Sequence, residues 1–376
     1  MNRRKFITGL GGATVGAAFL AACGDTIKIY NQMAPTGSTL MDRRIGLFTW
    51  ADYDDPEITT AWGDVRTTYY TSNEDLIAKL TAAKGYSGFD VVVPTGPYVP
   101  ELARRGLLEQ LDLDRIPNFN QLDPSVVDQP FDRHNTFTVC KATGTLGWVY
   151  DSEVVGSEIK TWADFAAAAQ GPASGKTTLV DTGPELFGLY CWANGLDWTS
   201  DNSDDIAAAK QFLMNDMAPH LAALDGLPYN SAVDRGYKLM MAYNGVARTI
   251  FVTLEDAGID TSTWKWAVGG PVTESYMDNW AIVKGARNID AAYDFINYML
   301  QPVTSARAAL YQGSNTGTSS LAELLPIDMR FKELFFFTEE ERARMQPWKY
   351  NKSVDQLTEI AAGLKEKVSG GTQSRD

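Results

Sequence analysis

Histidine is almost missing. The chain of 376 residues holds two, His134 and His220, far apart and in no metal-ligand spacing. No serine sits in a G-x-S-x-G frame, so no nucleophile elbow is marked. There is no C-x-x-C, and no G-x-G-x-x-G follows a strand. Residues 170–178, QGPASGKTT, come near a phosphate loop. They put three residues between Gly171 and Gly175 where that loop needs four, and a strand follows where a helix should. They read as a flexible turn. No catalytic residue, metal site or cofactor is therefore assigned. Cysteine is scarce too, with Cys23, Cys140 and Cys191. Cys140 and Cys191 could pair in an oxidising compartment, but two cysteines fix nothing by spacing. Positive charge is also short, at 33 Lys+Arg against 47 Asp+Glu. Phosphate contacts need a basic face, so nucleic acid is not an expected partner. An acidic surface attracts cations, or serves solubility alone.

A membrane-length apolar run is also lacking. The N-terminus, MNRRKFITGLGGATVGAAFLAAC, has the pair Arg3-Arg4, then Phe6 and a weakly apolar run to Ala22. The run is short for a span and reads as a removable export signal over 1–22. The arginine pair points to the twin-arginine route. Leu20-Ala21-Ala22-Cys23 resembles a lipobox, in which Cys23 becomes the lipidated first residue and anchors the protein to a membrane. Residues 23–42 show no period and read as a tether. Residues 1–22 carry three of the 33 Lys+Arg and none of the acids, so the mature chain has a formal net charge of −17. A mature chain of this length can bury two cores, so two lobes are expected.

What is present is an alternation of strands and helices. RIGLFTW reads as a strand and SNEDLIAKLTAAKG as a helix capped by Ser72 and followed by Gly85. FDVVVP reads as a strand buried on both faces, and PYVPELARRGLLEQL as a helix. TWADFAAAAQ is a helix capped by Thr161, and PELFGLYCWANG a helix opened by Pro184. SDDIAAAKQFLMNDMAPHLAAL reads as one long helix. YKLMMAY, KWAVGG and NWAIVK are strands, and SVDQLTEIAAGLKEKVSG is the last helix. The alternation implies an α/β fold with mostly parallel sheets flanked by helices.

Several segments together resemble the periplasmic spermidine/putrescine-binding proteins of ABC importers. LFTWADYDD at 47–55 ends a strand in an aromatic-acid-Tyr cluster. SNEDLIAKL at 72–80 and GFDVVVPTGPYV at 88–99 follow. GLLEQLDLDRIPNFNQLDPSVVDQPFD at 106–132, GTLGWVYD at 144–151, TWADF at 161–165, AYNG at 242–245 and YMDNWAIVKGA at 276–286 keep the order. The resemblance spans about residues 43–370. It implies a two-lobed periplasmic-binding-protein fold with the ligand cleft between the lobes. Lobe one would be 43–143 plus 277–321, and lobe two 144–276 plus 322–372. The crossings fall near Thr143–Leu146 and Tyr276–Asn279. It also implies a monomer in the periplasm or on the outer envelope face. Such a protein delivers a small amine to an ABC permease driven by a separate ATPase.

The resemblance puts the ligand on Trp50, Asp52, Tyr53, Thr95, Glu185, Tyr243, Tyr276 and Asp278. Trp50, Tyr243 and Tyr276 would wall the alkyl chain, and Asp278 would take a buried ammonium. Asp52 and Glu185 would take amines nearer the mouth. Each position has a plainer reading. Trp50 and Tyr243 could be core aromatics, Asp52 a solvated acid, and Glu185 a helix-start acid. Tyr276 and Asp278, at i and i+2, share one face of a strand. Asp54 and Asp55 read as a helix start facing solvent. Ser72, Asp181 and Lys349 are further candidates. The chain departs from the family pattern at Pro97, Thr182, Ser314 and Lys349. Those changes favour a diamine, or an amino compound whose polar tail faces Lys349, over a long triamine. Other readings are an amino-acid-like or opine-like ligand, ferric ion, a ligand sensor and an exported enzyme. Adjacent Tyr69 and Tyr70 would point to opposite strand faces, which disfavours iron.

Overall fold

The computed structural model describes residues 43–83 and 86–372. The export signal, the tether with Cys23, and Gly85 lie outside the described residues. Ten strands run as β1 (Arg44–Trp50), β2 (Asp64–Tyr70), β3 (Val91–Val92), β4 (Thr138–Asp151), β5 (Thr177–Leu179), β6 (Leu221–Leu224), β7 (Leu239–Tyr243), β8 (Trp264–Val268), β9 (Thr273–Ile282) and β10 (Met345–Gln346). The order is β2-β1-β3-β9-β4-β7-β5-β6, with β8 on β4 and β10 on β9. β1 is parallel to β2 and β3. β9 enters antiparallel to β3 and β4. On the other side β5 is parallel to β6 and β7, while β7 and β8 run antiparallel to β4. This is the expected two-lobed α/β architecture with mixed sheets. β4 joins its halves. Up to Thr145 it pairs with β9, and from Leu146 it pairs with β7.

The elements follow from the residues. Along β1 the side chains alternate: Ile45 and Leu47 pack toward Trp280 and Phe295, and Phe48 stacks on Phe89 at 4.3 Å on the other face. Each fully buried large side chain contributes about 1.5–3 kcal/mol. Asp55 caps the helix Pro56–Trp62 by accepting from the Glu57 amide at 2.8 Å. Ser72 caps Asn73–Ala82, accepting from the Asp75 amide at 3.1 Å. Helix Gly183–Asn194 is apolar nearly all round and lies buried. The terminal helix Val354–Thr372 packs Leu357, Ile360 and Leu364 into the same core.

Several expectations are corrected. The long helix expected over residues 203–224 stops at Gln211, passes through a π-helical turn and a 3-10 turn, and becomes β6. Pro219 has no amide proton to continue a helix, and Leu221–Leu224 finds its hydrogen bonds on β5. The helix expected from Pro97 to Leu111 is confined to Val99–Arg104. It stops at Gly106, which adopts a left-handed turn at φ 66°. The strand expected over NWAIVK begins six residues earlier, at Thr273. Cys140 and Cys191 are free, buried thiols in separate packed clusters.

Candidate functional site

Three strands deliver the first half of the site. β1 ends at Trp50, and Asp52 adopts the left-handed region at φ 55° to turn the chain. Tyr53 then projects back toward β9. β3 runs into Thr95, which bridges Asp278 on β9. Asp278 receives the Tyr53 hydroxyl at 2.7 Å on one oxygen and the Thr95 hydroxyl at 2.7 Å on the other. Buried Asn73 fixes Thr95 from behind, donating to its Oγ1 at 3.0 Å and accepting its amide at 3.0 Å. Burial raises the Asp278 carboxyl above the ordinary range in spite of these donors and the Lys141 charge. Trp50 is half-buried and lies edge-on to Tyr70 at 4.6 Å.

Lys141 and Asp54 form a buried ion pair at 2.9 Å. The ammonium lies 4.0 Å from the Tyr53 ring centroid and 4.7 Å from that of Trp280. Asp54 is thus not a solvent-facing acid. Removing an ammonium from water is tolerable only with a counter-charge, and Asp54 supplies it beneath Tyr53.

The second half comes from β9, β7 and the start of helix Gly183–Asn194. Tyr243 and Tyr276 meet edge-to-face at 5.2 Å. The Tyr243 hydroxyl donates to Glu185 at 3.2 Å. The Tyr276 hydroxyl shares a hydrogen bond with Ser314 at 2.8 Å, so the serine that departs from the family pattern holds the phenol in place. Tyr276 lies against Gly144, where a Cβ would sit 2.6 Å from its hydroxyl and 2.1 Å from the Asn244 amide oxygen.

One acid was not foreseen. Glu274 precedes Tyr276 and Asp278 by two and four residues on β9, so all three share a strand face. Its burial matches that of the other two acids: 5% exposed, against 8% for Glu185 and 8% for Asp278. The Oε2 atoms of Glu185 and Glu274 have no hydrogen-bond partner. Burial pushes the Glu274 carboxyl well above its usual range, and the Glu185 and Asp278 charges push it further. Glu185 is raised by burial as well. The period-two spacing Glu274-x-Tyr276-x-Asp278 is the signal that could have found it.

The other candidates have surroundings of their own. Asp52 is exposed and accepts from the Tyr229 hydroxyl at 3.3 Å. The Ser72 hydroxyl caps its helix. Asp181 pairs with Lys365 at 2.7 Å. Lys349 is exposed, between Trp348 and Tyr350, which pack on Tyr98. Tyr69 is exposed while Tyr70 is buried and bonded to the Val93 carbonyl. Among the described residues no group of His, Cys, Asp and Glu could hold a metal ion. The cluster has three buried acids, aromatic walls and neutral hydroxyls. Such a set attracts positive charge: each aromatic face contributes about 0.5–2 kcal/mol toward an ammonium, and each charge-assisted hydrogen bond about 1.5–3 kcal/mol.

The architecture is the two-lobed α/β arrangement of binding proteins. The chain belongs to the bacterial extracellular solute-binding proteins, whose family model matches residues 60–330. It is 27% identical to the spermidine/putrescine-binding periplasmic protein 1 of Haemophilus influenzae, covering 86% of this chain and 88% of the relative. It is 26% identical to the putrescine/cadaverine-binding protein of Pseudomonas aeruginosa, covering 84% and 91%. A Listeria monocytogenes structure assigned to a spermidine/putrescine ABC transporter superimposes with a TM-score of 0.77 at 25% identity, covering 86% of this chain and 99% of that one. The family is one of solute binders and not a class of enzymes.

Proposed function

We propose that this protein is the substrate-binding component of an ABC importer, capturing a diamine or related small polyamine between its lobes. The observation that carries the reading is Asp278, a buried carboxylate gripped by Tyr53 and Thr95 and flanked on its strand face by Tyr276 and Glu274. A protonated amine at Asp278 restores the charge balance that burial disturbs. The three acids favour a ligand positive at more than one point. A ligand ending in a carboxylate would meet like charge, and exposed Lys349 gives that end little support. The relatives' names, which specify putrescine, spermidine and cadaverine, support the amine class.

The lobes comprise 43–143 plus 277–321 and 144–276 plus 322–372. The handover of β4 from β9 to β7 after Thr145 supports this division. The protein is a monomer with no catalytic role. It is exported from the cytoplasm by the twin-arginine route and is held by lipid on Cys23 at the periplasmic or outer face. Ligand passes to a membrane permease served by a separate ATPase. A thermal-shift screen against diamines, polyamines, amino acids and sugars tests the reading. Putrescine or cadaverine should raise the melting temperature most, because a ligand that binds only the folded state stabilises it by mass action. A larger shift from an amino acid or sugar, with none from amines, overturns it.

A further inference from the structure

The acid pair Glu185 and Glu274 does something that Asp278 does not. Asp278 has a neutral donor on each oxygen. Glu185 accepts from Tyr243 and is also held by Thr182 and its own backbone amide, while Glu274 has no such donor and its buried Oε2 has no partner. The Glu274 carboxyl lies within hydrogen-bond reach of Glu185, and two carboxylates so placed cannot both stay ionised in a dry site. A single proton between them would give each an otherwise missing hydrogen bond. The groups facing the pair carry no positive charge to replace that proton. Glu74 acts on Glu185 from the first turn of helix Asn73–Ala82, and Asp278 acts on Glu274 along β9. The tyrosines Tyr98, Tyr243 and Tyr276 complete the surroundings. Glu274 lies four residues from Asp278, so their Cα atoms are about 13 Å apart along the strand. Tyr276 stands between them.

We propose that Glu274 and Glu185 form the second cation site of the cleft, holding one shared proton while it is empty and releasing that proton to solvent when an ammonium takes its place. This rests on the amine reading above and deepens it. The ligand's far ammonium, already protonated in water, sits between the two ionised carboxylates, and one proton leaves the pair for the buffer. Charge and protons balance, because a cation enters and a cation departs. Affinity for a dication therefore rises with pH over the range in which the empty pair still holds its proton, by at most tenfold per pH unit. Glu274 is also a specificity residue. It separates a diamine from an amino-alcohol of the same chain length, whose hydroxyl end displaces no proton.

Calorimetric titration with putrescine, in two buffers of different ionisation enthalpy and at several pH values, tests this on the mature protein. The unaltered protein should release up to one proton per ligand, bind more tightly as pH rises, and prefer putrescine to the amino-alcohol by at least tenfold. Glu274→Gln, which keeps shape and volume, should abolish the release, flatten the pH profile and bring the two ligands within threefold of each other. Glu274→Asp should restore part of the release and of the preference, which a merely structural role would not predict. Unchanged proton release and ligand preference in Glu274→Gln overturn the proposal. If in the same experiments Asp278→Asn still loses putrescine affinity, the amine reading stands and only the acid pair falls. If the unaltered protein binds no amine, both fall.

Discussion

Asp278 accepts two hydroxyl hydrogen bonds and is still held above the ordinary carboxylate range by burial. Under the proposed function an ammonium beside it would offset that burial. Asp278→Asn should lower putrescine affinity at least thirtyfold, about 2 kcal/mol, because an ammonium is left in the cleft without its counter-charge. A titration showing less than a threefold change would remove Asp278 from the site. Lys141 is the complementary case, a buried cation already satisfied. Lys141→Met leaves Asp54 buried and unpaired and should cost about 3–5 kcal/mol of stability, read as a lower urea midpoint with an unchanged slope. A loss under about 1 kcal/mol would mean that water reaches Asp54. Lys141 was not singled out from sequence, because nothing local marks it. Its partner is far away in the chain and its role appears only once β1 and β4 are packed. The reading of Asp54 as a solvent acid failed for the same reason.

At the scale of elements, much was legible where period and capping agreed. Ser72, Thr161 and Asp55 each cap the helix their sequence suggested. The failures are equally physical. Leu221–Leu224 is an apolar run too short for its period to separate helix from strand, and partnership with β5 decided it. β9 was started too late, at Asn279; Tyr276 and Asp278 were reached through the family resemblance, which marks nothing at Glu274, two residues earlier on the same face. Gly144 shows how an element sets the site without touching ligand. A methyl group there would meet Asn244 at 2.1 Å and Tyr276 at 2.6 Å. Gly144→Ala should lower stability by about 1–3 kcal/mol through overpacking. By displacing Tyr276, it should also weaken putrescine binding at least fivefold. Wild-type affinity in this variant, measured by the same titration, would show that the Tyr276 ring is not a ligand wall.

Across the whole molecule, the acidic excess, 47 Asp+Glu against 33 Lys+Arg in the full chain, biases encounter with cations. The rate of amine association should fall as salt is added. The Tyr229 hydroxyl donates to Asp52 at 3.3 Å and joins the end of β1 to the segment between β6 and β7. It is exposed and neutral-to-charged, so its removal should be mild. Tyr229→Phe should speed amine dissociation two- to fivefold in stopped-flow measurements and leave the melting temperature within about 2 °C, as befits a loss of a few tenths of a kcal/mol. A fall of several degrees would instead make Tyr229 part of the packed core. The fold and its cleft could be read from an ordered series of motifs. The content of the cleft could not, because it depends on which acids face one another after the chain has folded.

Cys140 and Cys191 give the molecule two internal clocks. Each thiol is fully buried, Cys140 beside Gly317 and Val126 and Cys191 in the other core cluster, and burial pushes both well above the usual thiol range. An alkylating reagent can reach either one only when its own surroundings come apart. Peptide-resolved mass spectrometry of slow alkylation would then time the breathing of the two cores separately in one sample. A cation seated beside β9 should slow the Cys140 clock, which ticks on the neighbouring strand, more than the Cys191 clock, which lies toward the other end of the helix whose first turn carries Glu185.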